Sequence, residues 1–332
     1  MTTLVTGANG FVGAAVCRAL CEQHEEVRAF VRHGANTSNL ASLPVTFAYG
    51  DLRDKDSIAR AMEGCQFLYH VAADYRLWVP DPRTMYEINV EGSRNIVNAA
   101  VAAGVDRIVY TSSVAVINPD AHGGVSDETT PTLESDMIGH YKRSKFLAEK
   151  AVRQLIDEVL APVVIVSPST PIGPGDIRPT PTGRIVLDAL RGRMPAYVNT
   201  GLNLAHVDDV ARGHIAACRH GNIGRSYILG GENISLKSFL GLIAKSGGHR
   251  PPLTAIPHSV AWLYAGLDEI WSGISKKEPA ATRDAVRMSK KCMYFSSERA
   301  RSELNYQARP AEESVDAAVN WFKYQLQRQK NF

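Results

Sequence analysis

Two side chains near the middle of the chain, Tyr141 and Lys145, have the spacing of a proton-transfer pair. On a helix, residues four apart lie on the same face. A phenol with a pKa of about 10 is a poor base at neutral pH, but a nearby ammonium group favours the phenolate. The hydroxyl of Ser113 can hold a substrate oxygen beside that phenol. We therefore predict that Ser113, Tyr141 and Lys145 move a proton to or from an alcohol or a carbonyl group.

The Tyr-x-x-x-Lys spacing is weak evidence by itself, because a chain with 12 tyrosines should contain roughly 0.4 such matches by chance. Its position carries more weight. Ser113 follows a β-rich run at 107–111, and the pair opens a helix predicted at 141–159. The alternative to a catalytic pair is a tyrosine and a lysine that lie on the surface of a helix and have no role in chemistry.

A glycine-rich turn near the start of the chain predicts a dinucleotide site. Residues 7–13 follow a G-x-x-G-x-x-G pattern, between a short apolar run at 4–6 and an amphipathic helix predicted at 11–20. Glycines allow a tight turn and a close approach of pyrophosphate, while the helix N-terminus supplies amide donors. The alternative is a turn that binds nothing. The predicted cofactor contacts are Gly7, Asn9, Gly10, Phe11, Val12 and Gly13.

The residue after the second predicted strand (27–31) bears on which dinucleotide is bound. NAD-binding proteins usually place an acidic residue there to accept the ribose 2′-hydroxyl. Here the position holds Arg32, whose guanidinium can pair with a 2′-phosphate. We expect NADP(H) to be favoured, with NAD(H) possible and a solvated Arg32 as the alternative. Asp51 and Leu52 are expected to contact the adenine, although Asp51 can also simply start a turn.

Strand-like and helix-like segments alternate along the first half of the chain, which predicts βαβ units and a parallel sheet. The expected fold is a Rossmann-type, doubly wound α/β sheet with a smaller C-terminal substrate-binding lobe. The dinucleotide-binding domain is predicted at 1–167, with a return segment near 204–230. Most of 168–332 is predicted to form the lobe, which begins with a proline-rich loop.

Composition excludes several classes of protein. The 332 residues carry a formal net charge of only +3, which argues against nucleic-acid binding. The five cysteines are scattered and are expected to be reduced, and no residue is assigned to a metal site. A transmembrane segment and a signal peptide are not expected, so the prediction is a cytoplasmic protein.

The chain resembles the extended short-chain dehydrogenase/reductases over nearly its whole length. The matching stretches are TGANGFVG (6–13), GDLRD (50–54), HVAA (70–73), NVEGSRNI (89–96), YTSSVAV (110–116), YKRSK (141–145), HVDDVARGH (206–214) and SSERARSELNY (296–306). The resemblance implies that Ser113, Tyr141 and Lys145 do the chemistry, the last two also contacting the cofactor. It further implies that Pro168, Ser169 and Thr170 contact the nicotinamide. The remaining cofactor contacts that it implies are Gly7, Gly10, Gly13, Asp51, Leu52, Ala72, Ala73 and Thr111.

Longer stretches are similar to the bacterial hopanoid-associated sugar epimerases, which in turn look like plant dihydroflavonol reductases. These stretches are 71–82, 136–149, 168–186 and 193–211. The similarity implies a sugar or nucleotide-sugar epimerase associated with hopanoid biosynthesis. An NADPH-dependent ketone or aldehyde reductase resembling dihydroflavonol 4-reductase is the alternative. A dinucleotide-sensing protein without catalysis is a third reading.

A small-molecule substrate is expected between the fourth strand and the proline-rich loop. Arg184 or Arg193 could bind a nucleotide diphosphate, although each arginine can equally be a surface charge. A homodimer is possible. The candidate substrate contacts are Asp74, Tyr75, Arg76, Trp78, Ser113, Thr170, Arg178, Thr182 and Arg184.

Overall fold

A computed structural model describes residues 2–252, 254–275, 279 and 281–330. The strands are β1 (Thr2–Thr6), β2 (Glu26–Val31), β3 (Val45–Tyr49), β4 (Cys65–His70), β5 (Arg107–Thr111), β6 (Val163–Pro168), β7 (Thr170–Ile172), β8 (Ala196–Tyr197), β9 (Gly201–His206), β10 (Ser226–Leu229), β11 (Glu232–Ser235) and β12 (Thr254–Ala255). The main sheet has the order β10-β6-β5-β4-β1-β2-β3, and all of its pairs are parallel.

Helices cover both faces of this sheet and build most of the lobe. They are α1 (Phe11–Cys21), α2 (Lys55–Met62), α3 (Arg83–Tyr86), α4 (Gly92–Ala102), α5 (Gly139–Val159), α6 (Pro181–Leu190), α7 (Val207–His220), α8 (Leu236–Gly247), α9 (His258–Ser275), α10 (Arg283–Met288), α11 (Glu298–Leu304) and α12 (Ala311–Lys330). A π-helical turn, Glu87–Glu91, joins α3 to α4. In the described ranges, no helix has the length and apolar character needed to cross a membrane.

Two apolar layers enclose the main sheet, because alternate residues of a strand point to opposite faces. Val109 of β5 packs on the face covered by α1 and α7, whereas Ile108 packs on the face covered by α2, α4 and α5. All six residues of β6 are buried, as is typical of a central parallel strand. The predicted Rossmann-type α/β fold is confirmed.

The chain leaves the main sheet directly after β6. Only Ser169 separates β6 from β7, which pairs in parallel with β9, and β9 pairs with β11 in antiparallel fashion. A separate apolar cluster joins this small sheet to α6, α8 and α12. After β9 and α7, β10 returns to the edge of the main sheet beside β6. Parallel sheets bind ligands at the carboxyl ends of their strands, and here the lobe begins at that edge.

Candidate active site

Ser113 and Tyr141 are neighbours at the carboxyl edge of the main sheet. Ser113 follows β5 and starts a 3-10 turn, in which the amide of Ala115 donates to the Ser113 hydroxyl oxygen at 3.1 Å. Tyr141 lies in the first turn of α5, close enough to Ser113 for the serine hydroxyl to affect the pKa of the phenol. Two hydroxyls arranged in this way can bind one substrate oxygen together.

Lys145 lies one turn further along α5 and is buried. Its ammonium nitrogen donates to the carbonyl oxygen of Thr111 at 2.8 Å and lies 3.4 Å from the Tyr110 hydroxyl. The same nitrogen sits 5.0 Å from the centre of the Tyr110 ring. The structure therefore brings the three sequence-predicted catalytic residues to one strand end.

Burial shifts the proton affinities of this pair in opposite directions. It lowers the pKa of Lys145 to about 8, an effect that the Glu149 carboxylate opposes. It raises the pKa of Tyr141, and the nearby Ser113 hydroxyl opposes that rise. Near neutral pH the lysine is thus largely charged and Tyr141 is a neutral phenol. A neutral phenol beside a substrate oxygen is a proton donor.

Asn89 is a site residue that the sequence analysis missed. A regular helix is predicted over 83–103, but the structure inserts the π turn, and Asn89 in that turn is buried. Its side chain accepts from the Asp74 amide at 2.7 Å and donates to the Asp74 carbonyl at 2.9 Å. It also donates to the Ser144 hydroxyl at 2.9 Å. Asn89 thus ties the loop after β4 to α5, and π turns often occur at functional sites.

A chain of buried polar groups connects the glycine-rich turn to Lys145. The His70 ring nitrogens lie 2.7 Å from the Thr6 hydroxyl and 3.0 Å from the Ser93 hydroxyl. The Ser93 hydroxyl donates to the Asn89 carbonyl at 2.6 Å and is near enough to Tyr110, which contacts Lys145, to affect the pKa of that phenol. Burial, reinforced by the charge of Lys145, lowers the pKa of His70 to about 3, so this histidine is neutral. In the sequence, His70 is noted only as the first residue of the HVAA stretch (70–73), with no role predicted for it.

The glycine-rich turn has the shape that a pyrophosphate requires. Gly7 has a φ of +64°, and a Cβ there would lie 2.7 Å from the Cα of Ala72. A Cβ on Gly13 would collide with the carbonyl oxygen of Gly7. The first turn of α1 has no acidic residue, and Gly10 gives it no side-chain cap. Its amides and the positive end of its dipole are therefore available to an anion.

Ser169 provides an independent sign of a ligand at the other end of this site. Its hydroxyl oxygen is buried and has no hydrogen-bond partner within the described residues. A buried hydroxyl without a partner is costly, so a bound group is expected to supply one. Pro168 ends β6 and Thr170 begins β7, the segment that the sequence resemblance assigns to the nicotinamide. The residues present fit a nicotinamide dinucleotide.

Residues 3–230 match the model of the NAD dependent epimerase/dehydratase family. The chain belongs to this family. The expected membership of the extended short-chain dehydrogenase/reductases is thereby confirmed. The chain is an oxidoreductase of the epimerase/dehydratase type, and members of this family bind NAD(P) and small-molecule substrates.

Full-length relatives extend the comparison. A Synechocystis protein provisionally named dihydroflavonol 4-reductase is 43% identical over 96% of this chain and 94% of its own length. Sterol demethylase protein B of Methylococcus capsulatus is 34% identical over 97% of this chain and 98% of its own. The crystal structure of gox2253 is 50% identical, covers 98% of both chains and superposes with a TM-score of 0.88.

Two arginines, Arg32 and Arg53, lie next to the residues that are predicted to contact the adenosine part of the cofactor. Arg32 follows β2, is exposed, and has no hydrogen-bonded side-chain partner in the described part of the chain. Arg53 holds the Asp51 carboxylate through its Nε and Nη2 atoms, both at 2.9 Å, and lowers the pKa of that carboxyl. Leu52 is buried, and its carbonyl accepts from Asn95 at 3.0 Å. Arg32 also lies within electrostatic reach of Asp51.

Two segments that are predicted to contact the substrate, the residues after β4 and the proline-rich loop, approach each other. Burial raises the pKa of Tyr75, and the charges of Asp176 and Arg178 reach its hydroxyl. The Asp74 carboxylate is paired with Arg76, with one contact of 2.9 Å. Trp78, Thr170 and Thr182 are half-buried, whereas Arg178, Arg184 and Arg193 are exposed.

Asp176 is a second residue that the sequence analysis missed. It is buried and accepts hydrogen bonds from the amide and the hydroxyl of Thr180, the latter at 2.8 Å. Burial raises its pKa to about 6. The carboxylate fixes the proline-rich loop next to Tyr75. Its signal in the sequence is its position after Gly173 and Gly175, which give that loop its turns.

Proposed function

We propose that the protein is an NADP(H)-dependent oxidoreductase that reduces a carbonyl group to an alcohol. One observation carries this proposal: Tyr141 and the buried Lys145 lie one turn apart on α5, Lys145 is bound to the end of the strand that leads into Ser113, and burial raises the pKa of the Tyr141 phenol. Such a group is suited to protonating an alkoxide as it develops, which is the direction of reduction. The reductase relatives in the family support the same direction.

Each catalytic role follows from the contacts of the side chain. The cofactor, when bound, supplies the hydride. Ser113 donates a hydrogen bond that aims the substrate oxygen at the Tyr141 hydroxyl. Tyr141 transfers its proton as negative charge develops on that oxygen. Lys145, charged and held by Thr111, stabilises the phenolate that remains.

Arg32 supports NADP(H) as the cofactor. Its guanidinium is exposed at the position where an acidic residue would repel a 2′-phosphate. A charged arginine–phosphate contact is worth about 1.5–3 kcal/mol, or about one to two decades in affinity. Asp51, which lies within electrostatic reach of Arg32, is already paired with Arg53. Glycine-loop residues and the 168–170 segment would hold the remainder of the dinucleotide.

We further propose that the substrate carbonyl belongs to a ring-containing, largely apolar compound. The names of the two full-length relatives refer to a dihydroflavonol and a sterol. Tyr75 and Trp78, predicted substrate contacts in the loop after β4, are aromatic residues that suit such a substrate. The link to hopanoid biosynthesis implied by the sequence resemblance stays a prediction.

A sugar or nucleotide-sugar epimerase is the second candidate, favoured by the exposed arginines Arg178, in the proline-rich loop, and Arg184, in α6, whose charges suit a diphosphate. The reductase changes the redox state of its substrate and cofactor in each turnover, whereas the epimerase produces no net redox change.

The test is a panel of cyclic ketones and nucleotide sugars incubated with NADPH, with absorbance of the reduced nicotinamide as the readout. A reductase consumes NADPH with a ketone and loses that activity in Tyr141→Phe. Conversion of a nucleotide sugar to its epimer without NADPH consumption would contradict the reductase proposal.

A further inference from the structure

Glu149 is a carboxylate of α5 that the reaction described above does not use. Tyr141, Lys145, Glu149 and Arg153 follow one another at intervals of four residues along this helix. Residues with that spacing are neighbours on the helix surface. The Glu149 side chain is only 13% exposed. A carboxylate with so little contact with water is costly unless other groups hold it.

Both oxygens of the Glu149 carboxylate have partners. Oε2 accepts from the hydroxyl of the buried Ser112 at 2.5 Å. Oε1 accepts from Nε and Nη2 of Arg153 at 2.9 and 2.8 Å. Arg153 also donates to the hydroxyl of Ser226, the first residue of β10. The carboxylate is therefore fixed in one orientation, with Oε2 directed at Ser112.

The helix thus holds two consecutive residues at the end of β5. Lys145 donates to the carbonyl oxygen of Thr111 at 2.8 Å, and Ser112, the next residue, donates to Glu149. Ser113 follows Ser112 directly. A carboxylate that fixes Ser112 therefore limits the positions that the Ser113 hydroxyl can take.

The negative charge of Glu149 also acts on Lys145. Burial lowers the pKa of this lysine to about 8, and the carboxylate opposes that effect because it favours the protonated amine. The same charge reaches Tyr110, whose hydroxyl lies 3.4 Å from the lysine nitrogen. Burial raises the pKa of Tyr110, and the charge of Glu149 raises it further.

The other titratable groups around Lys145 are uncharged near neutral pH. Tyr110 lies beside it in β5 and Tyr141 lies one turn away in α5, and burial raises the pKa of both phenols. His70 of β4 lies within electrostatic reach of Lys145, and burial lowers its pKa to about 3. Among these groups Glu149 alone carries a negative charge, so its removal should let Lys145 lose its proton more easily.

We propose that Glu149 is a positioning residue for the proton transfer, because its carboxylate holds the segment that carries Ser113 and supports the ammonium group of Lys145 by its charge. The inference rests on the proposed function, in which the charged lysine stabilises the phenolate left on Tyr141. Glu149 acts through Ser112 and Lys145, as a group that supports a preorganised site. The alternative is a carboxylate that only anchors α5 to β10.

The charge of Lys145 is measured without a substrate. NMR of protein with isotope-labelled lysine follows the protonation of each amine, and the Lys145 signal is the one that Lys145→Arg lacks. Glu149→Gln keeps an oxygen that can accept from Ser112 but removes the charge, so the pKa of Lys145 should fall from about 8 to about 7. Arg153→Gln removes the positive charge next to Glu149 and should raise the pKa of Lys145.

The matched control is Glu158→Gln, at an exposed position near the end of α5, which should leave the titration of Lys145 unchanged. A wild-type titration of Lys145 in Glu149→Gln would overturn the charge role, and so would an equal fall in the control. A carboxylate that is only an anchor predicts no shifts of opposite sign in Glu149→Gln and Arg153→Gln.

Kinetics with a ketone that the enzyme reduces test the same role in the reaction. In Glu149→Gln at pH 8, Lys145 should be about one tenth charged instead of about one half, so kcat/KM should fall about fivefold. At pH 6 it should stay nearly unchanged, whereas loss of an anchor alone would lower it equally at both pH values. Ser112→Ala keeps the charge and should lower kcat by the same factor at pH 6 and pH 8.

Turnover at the wild-type rate in Ser112→Ala would overturn the positioning of Ser113 through Ser112. Tyr141→Phe separates this inference from the proposed function. If that variant keeps the activity, the proposed function fails, while the lysine titration still decides whether Glu149 supports the charge of Lys145. If Tyr141→Phe is inactive and Glu149→Gln has the wild-type titration and pH profile, only the role of Glu149 fails.

Discussion

The ammonium nitrogen of Lys145 lies 2.8 Å from the carbonyl oxygen of Thr111, the last residue of β5. Ser113 follows Thr111 by two residues, so this hydrogen bond fixes α5 against the strand end that carries the serine hydroxyl. Tyr141, one turn earlier on α5, then meets Ser113. The chain itself thus holds together the three side chains that are proposed to transfer the proton.

Replacing Tyr141 by phenylalanine removes the proton donor and little else. We expect kcat to fall by about 10²- to 10⁴-fold, the usual contribution of a positioned acid or base. Cofactor affinity should stay nearly unchanged, because the ring and its packing remain. Steady-state kinetics and a fluorescence titration with NADPH measure the two quantities. Turnover near the wild-type rate on a genuine substrate would show that the assigned mechanism is wrong.

Lys145→Ala should lower both turnover and cofactor affinity. The lysine supplies the charge that stabilises a phenolate at Tyr141, and the family resemblance implies that it also reaches the nicotinamide ribose. The same titration and kinetics separate this pattern from that of Tyr141→Phe. Lys150→Ala, at an exposed position further along α5, is the matched control and should change neither quantity. Loss of turnover with unchanged affinity would remove the cofactor role from Lys145.

Patterns local in the sequence predicted most of the main sheet and the grouping of Ser113, Tyr141 and Lys145 at one strand end. The helix periodicity at 141–159 and the β-rich run at 107–111 were sufficient to bring Ser113, Tyr141 and Lys145 together. The π turn around Asn89 was not predictable from a local pattern, because the hydrogen bonds that Asn89 makes there reach Asp74 and Ser144, which are distant in the sequence. The pairing of β7, β9 and β11 likewise depends on contacts between segments that no local pattern records.

The buried histidines should make the protein sensitive to acid. The pKa of His70 falls from 6.5 to about 3 on folding and that of His214 to about 4, since burial disfavours the charged ring. Below pH 6.5 the unfolded chain therefore binds more protons than the folded one, and stability falls as the pH falls. Between pH 6.5 and 5 this loss is about 2 kcal/mol for His70 alone.

Denaturant unfolding at several pH values measures this effect. His70→Gln should show a shallower loss of unfolding free energy between neutral pH and pH 5 than wild type, whatever its absolute stability. His122→Gln, at an exposed position, should keep the wild-type slope. An unchanged slope in His70→Gln would mean that His70 is not held neutral in the folded protein.

Arg32→Asp tests the choice of cofactor. Wild type should bind NADP(H) more tightly than NAD(H) by about one to two decades, from one charged contact with the 2′-phosphate. The substitution should cancel or invert this preference, because it replaces attraction by repulsion. Arg60→Asp, on the exposed side of α2, makes the same charge change outside the predicted site and should leave the preference intact. Equal wild-type affinities that Arg32→Asp does not alter would mean that Arg32 contacts only solvent.

The proposed reduction is tested most directly by following an isotope from the cofactor into the product. The protein is incubated with a cyclic ketone substrate and NADPH that carries deuterium at the transferable position of nicotinamide C4. Mass spectrometry of the product is then compared with the loss of reduced-cofactor absorbance. The reductase account predicts one deuterium on the carbinol carbon for each NADPH consumed, and no label with Tyr141→Phe. A nucleotide sugar that epimerises in the same assay while the NADPH concentration stays constant would contradict it.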